Sequence, residues 1–125
     1  MVDKKGFTII EVLVAILIFS IGILAMAALF PMGMRVSYRA QMRTKALSYA
    51  MGKIEELRSL PFTDSALTAG EHTEGNLENR FELSWEVTDD VPLTGMKYVK
   101  VYVKWLPPAG DTEQIELETY LARLN

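Results

Sequence analysis

Apolar and polar residues follow three different patterns along this chain. From Phe7 to Phe30 almost every residue is apolar, small or hydroxylated. In residues 34–60 the apolar residues recur at helical spacing, and from residue 80 onwards they alternate with polar ones. These patterns predict, in that order, a long apolar helix, an amphipathic helix and β-strands with one covered face.

The apolar run is long enough to cross a lipid bilayer. Its 24 residues would form a helix of about 36 Å, and a bilayer core is about 30 Å thick. Glu11 is the only charged residue in the run. A charged side chain near the bilayer centre costs roughly 2.5–3.5 kcal/mol, so this carboxylate predicts a partner that neutralises it.

Residues 31–60 predict an amphipathic helix that continues the apolar one. Gly22, Pro31 and Gly33 predict a kink or local loosening near the junction, because proline removes a helical hydrogen bond and glycine weakens the helix. Pro61 predicts the end of the helix, since the residue before a proline disfavours helical geometry. The predicted buried stripe comprises Val36, Ala40, Leu47, Ala50, Met51, Ile54 and Leu57.

Residues 61–79 are polar and contain several glycines and threonines, which predicts a connecting loop. His72 is the only histidine of the chain and stands beside Glu71 and Glu74. A solvated loop histidine is favoured here over a metal ligand.

Residues 80–125 predict three strands with one apolar face. The apolar positions are Phe81, Leu83, Trp85 and Val87, then Val99, Val101, Val103 and Trp105, then Ile115, Leu117, Thr119 and Leu121. Short turns at 89–95 and 107–111 favour an antiparallel meander that covers the helix. The predicted fold class is therefore α+β: a long N-terminal α-helix, transmembrane in its first half and amphipathic in its second, packed on a three-stranded antiparallel β-sheet.

Two charged features of the predicted sheet concern its outer face and its first turn. Lys100 and Lys104 are expected between the glutamates of both flanking strands, where each exposed pair contributes roughly 0.2–1 kcal/mol. Asp89 and Asp90 favour a plain turn over a calcium site.

Composition limits the remaining functions. A chain of 125 residues with no cysteine can form one small domain after the helix, stabilised by packing and not by disulfides. The net charge of −3 argues against nucleic acid as a partner. No catalytic constellation, phosphate-binding loop or metal-ligand spacing is present in the sequence, so we expect no enzyme, no cofactor and no metal.

The N-terminus resembles a known class of signal. Lys4-Lys5-Gly6 followed by Phe7-Thr8-Ile9-Ile10-Glu11 is similar to the start of type IV pilins and of type II secretion pseudopilins. The resemblance implies that a prepilin peptidase cuts after Gly6, that Phe7 becomes an N-methylated terminus, and that Glu11 is the fifth mature residue. The implied segments are the leader 1–6, the transmembrane or filament-core helix 7–30, the amphipathic helix 31–60, the loop 61–79 and the sheet 80–125.

The resemblance also implies partners and a location. Glu11 and the Phe7 amine of a neighbouring subunit would pair and dock an incoming subunit, since one ion pair replaces two costly buried charges. The leader would stay cytoplasmic, the chain would cross the inner membrane once with its globular domain outside the cytoplasm, and the subunit would then enter a pilus or pseudopilus. The expected partners are other pilins, the peptidase and N-methyltransferase, and the membrane.

The basic residues that follow the run conflict with this orientation. Arg35, Arg39, Arg43 and Lys45 lie just beyond it, and the positive-inside rule would place that end in the cytoplasm. The arginines recur every four residues, which predicts a solvated or subunit-facing ladder. Pairing with acidic residues of neighbouring subunits or with lipid headgroups is the alternative.

Residues 15–22 are similar to minor pilins of the pilus-modification (PilV) type and to small minor pseudopilins, which implies a minor subunit that helps to prime filament assembly. Two other interpretations stay open. Ala25-Met26-Ala27 has the small-x-small form of a signal-peptide cleavage site. Tyr98, Tyr102 and Tyr120 would be the adhesive face of a membrane-anchored or secreted binding module.

Overall fold

The computed structural model describes residues 5–123 and contains one long helix followed by a sheet. The helix α1 spans Ile9–Ser59, 51 residues. A short 3₁₀ helix, Ser65–Leu67, precedes the strands. Within the described residues the strands are β1 (Gly70–Leu77), β2 (Phe81–Asp89), β3 (Met96–Trp105) and β4 (Glu113–Ala122). They form one antiparallel meander in the order β1-β2-β3-β4.

The chain divides into two compact units, Met1–Tyr38 and Arg39–Asn125. In the first unit the described residues before Tyr38 are all exposed. The apolar part of α1 is long and apolar enough to cross a membrane, by length and composition alone. Gly22, Pro31 and Gly33 lie inside α1, whose helical assignment continues through all three. The bend that we expect around them stays a prediction.

The second unit holds the hydrophobic core. Phe81, Val99, Val101 and Val103 on the inner face of the sheet are fully buried, as is Leu57 of α1. Alternate residues of β2 and β3 are buried, which is what a sheet covered on one face requires. The predicted α+β class, a long N-terminal helix packed on an antiparallel sheet, is confirmed.

The buried stripe of α1 differs from the predicted one. Ala50, Ile54 and Leu57 are buried as expected, but Val36, Leu47 and Met51 are large exposed residues, and Ala40 is exposed as well. The residues of α1 that are buried in the structure are Met42, Ala46, Ala50, Lys53, Ile54 and Leu57. The side of α1 that faces the sheet carries small alanines and the apolar stem of Lys53, so the buried stripe lies beside the predicted one.

The prediction of three strands and of a loop over 61–79 was wrong, because β1 lies inside that segment. None of the residues 70–77 is buried, and only His72, Gly75 and Leu77 are half-buried. Gly70 and Gly75 have φ of 127° and 103°, and the pairing with β2 shifts between Thr73 and Gly75. This edge strand therefore lacks the apolar alternation by which the other three strands are recognised.

The pairing of the remaining strands confirms the expectation for Lys100 but only half of it for Lys104, which faces Gln114 and not a glutamate on β4. Lys100 stands opposite Glu86 on one side and Glu118 on the other, and Lys104 stands opposite Glu82. The closest carboxylate to Lys100 lies on the diagonal, at Glu116, 3.0 Å from Nζ.

Candidate functional site

The N-terminus of α1 is closed by a reciprocal pair of hydrogen bonds. The backbone N–H of Glu11 donates to Thr8 Oγ1 at 3.3 Å, and the backbone N–H of Thr8 donates to Glu11 Oε2 at 3.4 Å. The N–H of Val12 donates to the carbonyl of Thr8 at 3.2 Å, which is the first helical bond. This is a capping box, in which the side chains of two residues satisfy main-chain donors that the helix leaves free. The Thr-x-x-Glu spacing of a capping box is present in the sequence, although no cap was predicted from it.

Glu11 is surrounded by exposed apolar side chains. An open groove beside it is lined by Phe7, Glu11, Val12, Ala15, Ile16 and Phe19. Phe7 is 84% exposed and Phe19 69%. In water such a surface is unfavourable, so the first unit requires a membrane or other apolar helices around it.

Gly6 has no structural reason to be a glycine. A side chain at this position would meet nothing within 4 Å, and the backbone of Gly6 does not adopt a positive φ. The structure thus places the predicted processing residues, Gly6 and Phe7, in an exposed stretch before α1, and Glu11 in its first turn. A protein that must recognise this stretch meets no steric obstacle from the described residues.

The tyrosines considered as an adhesive face lie on the outer side of the sheet. Tyr98 and Tyr120 face each other on β3 and β4, with ring centroids 5.2 Å apart. The hydroxyl of Tyr98 donates to the carboxylate of Glu118, and this bond raises the pKa of Tyr98 to about 12. Lys100 Nζ lies 5.5 Å from the ring centroid of Tyr102. Tyr98 is therefore engaged within its own sheet.

A buried lysine, which is not among the residues of the predicted stripe, joins α1 to β1 and β2. Lys53 is 6% exposed, with Nζ 4.3 Å from the ring centroid of Trp85 and 3.0 Å and 3.1 Å from carboxylate oxygens of Glu74 and Glu56. Burial alone would lower the pKa of Lys53, but the hydrogen bonds to Glu74 and Glu56 outweigh it, so the pKa is raised. The ammonium is charged at neutral pH.

The side chains considered for metal binding have other partners. His72 stacks on Trp85, with ring centroids 5.3 Å apart, and its Nε2 is 2.8 Å from the carbonyl of Thr68. The Asp90 carboxylate accepts from the N–H of Gly95, and Asp89 pairs with Lys97. Among residues 5–123, no group of three or more potential metal ligands comes together.

Comparison with known protein families matches residues 1–27 to the prokaryotic N-terminal methylation motif. The chain thus carries a type IV pilin-like prepilin signal, and the signal indicates a pilin-like structural protein. No curated protein and no solved structure matches the chain significantly.

Proposed function

We propose that this protein is a minor structural subunit of a type IV pilus or pilus-like filament and takes part in priming its assembly. The observation that carries the proposal is the methylation motif at residues 1–27, which includes most of the apolar part of α1, where every side chain is exposed. A surface of this kind is suited to a membrane before assembly and to a bundle of like helices afterwards.

The role of each residue follows from its chemistry. Cleavage after Gly6 would leave an ammonium at Phe7, at the beginning of the apolar run, where a lone charge is costly. Glu11 is the only acidic residue of that run and is the candidate partner for the amine of a neighbouring subunit. In the monomer the Glu11 carboxylate instead accepts from the N–H of Thr8.

The minor role and the pilus-modification (PilV) or small minor pseudopilin subclass rest on the resemblance at residues 15–22. The absence of cysteine from the sequence and the small sheet suit this subclass. The choice between a pilus and a type II secretion pseudopilus depends on the partner subunits, which co-purification would identify.

The first experiment measures processing. We expect intact mass and N-terminal sequencing of the mature protein from its native membrane to show a chain that begins at N-methylated Phe7. Gly6→Val should leave the precursor uncut. Gly22→Val, the same substitution within α1, is the matched control and should be cut normally. A chain that begins near Ala28 would make it an ordinary secreted protein, and one that begins at Met1 a simple anchored module; either would refute the proposal.

A second experiment separates the charge of Glu11 from its capping bond. Glu11→Gln can still accept from the N–H of Thr8 but has no charge, whereas Thr8→Ala keeps the charge and loses the hydroxyl. If Glu11 docks subunits, Glu11→Gln and Glu11→Ala should both insert into the membrane and both fail to enter filaments, and Thr8→Ala should enter them. Normal incorporation of Glu11→Gln would contradict the ion pair.

A further inference from the structure

The segment that follows the apolar run is strongly basic, and the proposed function does not use it. Residues 31–45 contain Arg35, Arg39, Arg43 and Lys45 and no acidic residue, in a chain whose net charge is −3. These cations follow directly after the part of α1 that is long and apolar enough to cross a membrane. A basic cluster that adjoins a membrane span is typical of a binding site for anionic lipid headgroups.

The length of the apolar run brings the first two arginines to the headgroup layer. A bilayer is about 40–45 Å thick with its headgroups and its core about 30 Å, which leaves about 5–8 Å of headgroups on each side. Arg35 follows Phe30 by five residues and Arg39 by nine, and in a helix these lengths are about 7.5 Å and about 13.5 Å. Side chains of a helix lean towards its N-terminus, here towards the membrane, and the long arginine stem extends that reach. Arg43, thirteen residues after Phe30, lies about 19.5 Å along such a helix and is too far away for contact.

The structure leaves the two nearer guanidinium groups available. Arg35 is exposed, and among residues 5–123 it forms no ion pair. The side chain of Arg39 is 59% exposed, and its distance of 3.6 Å from Glu113 is longer than a hydrogen bond. Such an exposed, long pair holds an arginine weakly, so a lipid phosphate can compete with Glu113 for it.

Tyr38 and the length of the run favour the same location. Tyr38 is the first tyrosine or tryptophan of the chain, and these residue types are enriched where a membrane span meets water. The run would form a helix about 6 Å longer than the bilayer core, so the side chains at its ends decide how deep it lies. The positive-inside rule disfavours basic residues on the outer side of the membrane, and binding to lipid phosphates would offset that cost.

We propose that Arg35 and Arg39 bind the phosphates of anionic lipids and thereby fix the depth of the apolar run in the membrane. A guanidinium binds a phosphate through two parallel hydrogen bonds, which makes arginine well suited to this contact. Arg43 and Lys45 add an attraction that salt and distance weaken. The proposal rests on the membrane span and not on the filament, and the contact is separate from the pairing of Phe7 with Glu11.

Native mass spectrometry of the full chain tests this contact. The chain is released from a nonionic detergent that contains phosphatidylglycerol, and the lipid that stays bound is counted. The wild type and the variant with both Arg35→Gln and Arg39→Gln are measured in one sample, because their masses differ. We expect the variant to retain at least about threefold less phosphatidylglycerol. Arg58→Gln with Arg123→Gln removes two arginines in the last turn of α1 and after β4, and this matched control should retain as much lipid as the wild type.

Single substitutions then test the dependence on distance from the run. Arg35→Gln should lower the retained lipid most, Arg39→Gln less and Arg43→Gln least. Raising ammonium acetate from about 50 mM to about 500 mM should lower retention by the wild type, because salt screens exposed charges. Phosphatidylcholine, which has a phosphate but no net charge, should be retained less than phosphatidylglycerol. Unchanged tryptophan emission, from the two tryptophans of the sheet, verifies that each variant is folded.

Four results would overturn this contact. Equal retention of the two lipids by the wild type would mean that the acyl chains alone bind. Equal losses in the double variant and its control would remove the specific arginines, and equal losses at Arg35 and Arg43 would remove the dependence on distance. A double variant that keeps its lipid but fails to enter filaments would assign the arginines to acidic residues of a neighbouring subunit. Processing at Gly6 and the role of Glu11 are measured separately, so that proposal and this one can fail independently.

Discussion

Lys53→Met tests how much the buried lysine contributes to the globular unit. The substitution keeps most of the apolar stem and removes the ammonium, which lies over Trp85 and bonds to Glu74 and Glu56. Lys45→Met is the matched control on the same helix, because Lys45 bonds to Glu78 at 3.2 Å while both side chains stay more than half exposed.

The expected magnitude follows from the exposure of the partners. Glu74 and Glu56 are 41% and 56% exposed, so water solvates them once the lysine is gone, and the penalty of about 3–5 kcal/mol for a stranded buried charge does not apply. The loss then comprises a cation–π contact of about 0.5–2 kcal/mol and two partly exposed ion pairs of about 0.2–1 kcal/mol each. Relief of the desolvated ammonium offsets part of it. We expect a net loss of about 1–2 kcal/mol for Lys53→Met and less than about 1 kcal/mol for Lys45→Met.

The assay is urea unfolding of the full chain in detergent, followed by tryptophan fluorescence. Both tryptophans of the chain, Trp85 and Trp105, lie on the sheet, so the signal reports the globular unit and not the apolar helix. The comparison uses unfolding midpoints, because removal of a cation from Trp85 also changes the native emission. If Lys53→Met destabilises no more than Lys45→Met, the cluster around Trp85 does not stabilise the fold as argued.

Two further predictions concern pH and packing. The hydrogen bonds from Tyr49 and Lys45 lower the pKa of Glu78, and the hydrogen bond from Lys100 lowers that of Glu116. Their contribution to stability is therefore complete above the ordinary pKa of 4.5 and is lost as the pH falls below it. Urea midpoints at falling pH should show this loss, and Glu78→Gln with Glu116→Gln should reduce the slope; an unchanged slope would contradict it. Leu57→Ala, at a fully buried position, should lower the free energy of unfolding by about 2–5 kcal/mol. Leu47→Ala, at a position 41% exposed, should lower it by less than about 1 kcal/mol. If the two substitutions lower the free energy of unfolding by similar amounts, Leu47 belongs to the buried stripe, as the sequence predicts.

Most of the sheet could be predicted from the sequence because its inner face is covered. In β2 and β3 alternate residues are apolar and buried, so the apolar residues of the sequence recur with a period of two. In β1 the half-buried positions hold His72, Gly75 and Leu77, and a bulge interrupts their spacing. β1 is a strand because its main chain pairs with β2. The pattern of apolar residues carries no information about that pairing, so β1 could not be predicted from it.

The buried stripe of α1 and the candidate sites could also be predicted only where the residues involved are close together in the sequence. Lys53 was not among the residues of the predicted stripe, but its stem packs inside and its ammonium is neutralised by Glu74, a residue far along the chain. The motif around Gly6 and Glu11 was recognised because it is local in sequence. The contact between Lys53 and Glu74 depends on β1, which the predicted three-stranded sheet did not contain.

The weak anchoring of β1 has a consequence for how this protein can evolve. Because none of the residues 70–77 is buried, substitutions there leave the volume of the core unchanged, and selection for folding acts weakly on those other than His72 and Glu74, which contact Trp85 and Lys53. β2 and β3, with every second side chain enclosed, tolerate far less change. Related sequences should therefore diverge first at the exposed positions of β1 that contact neither α1 nor Trp85, such as Thr73 and Asn76.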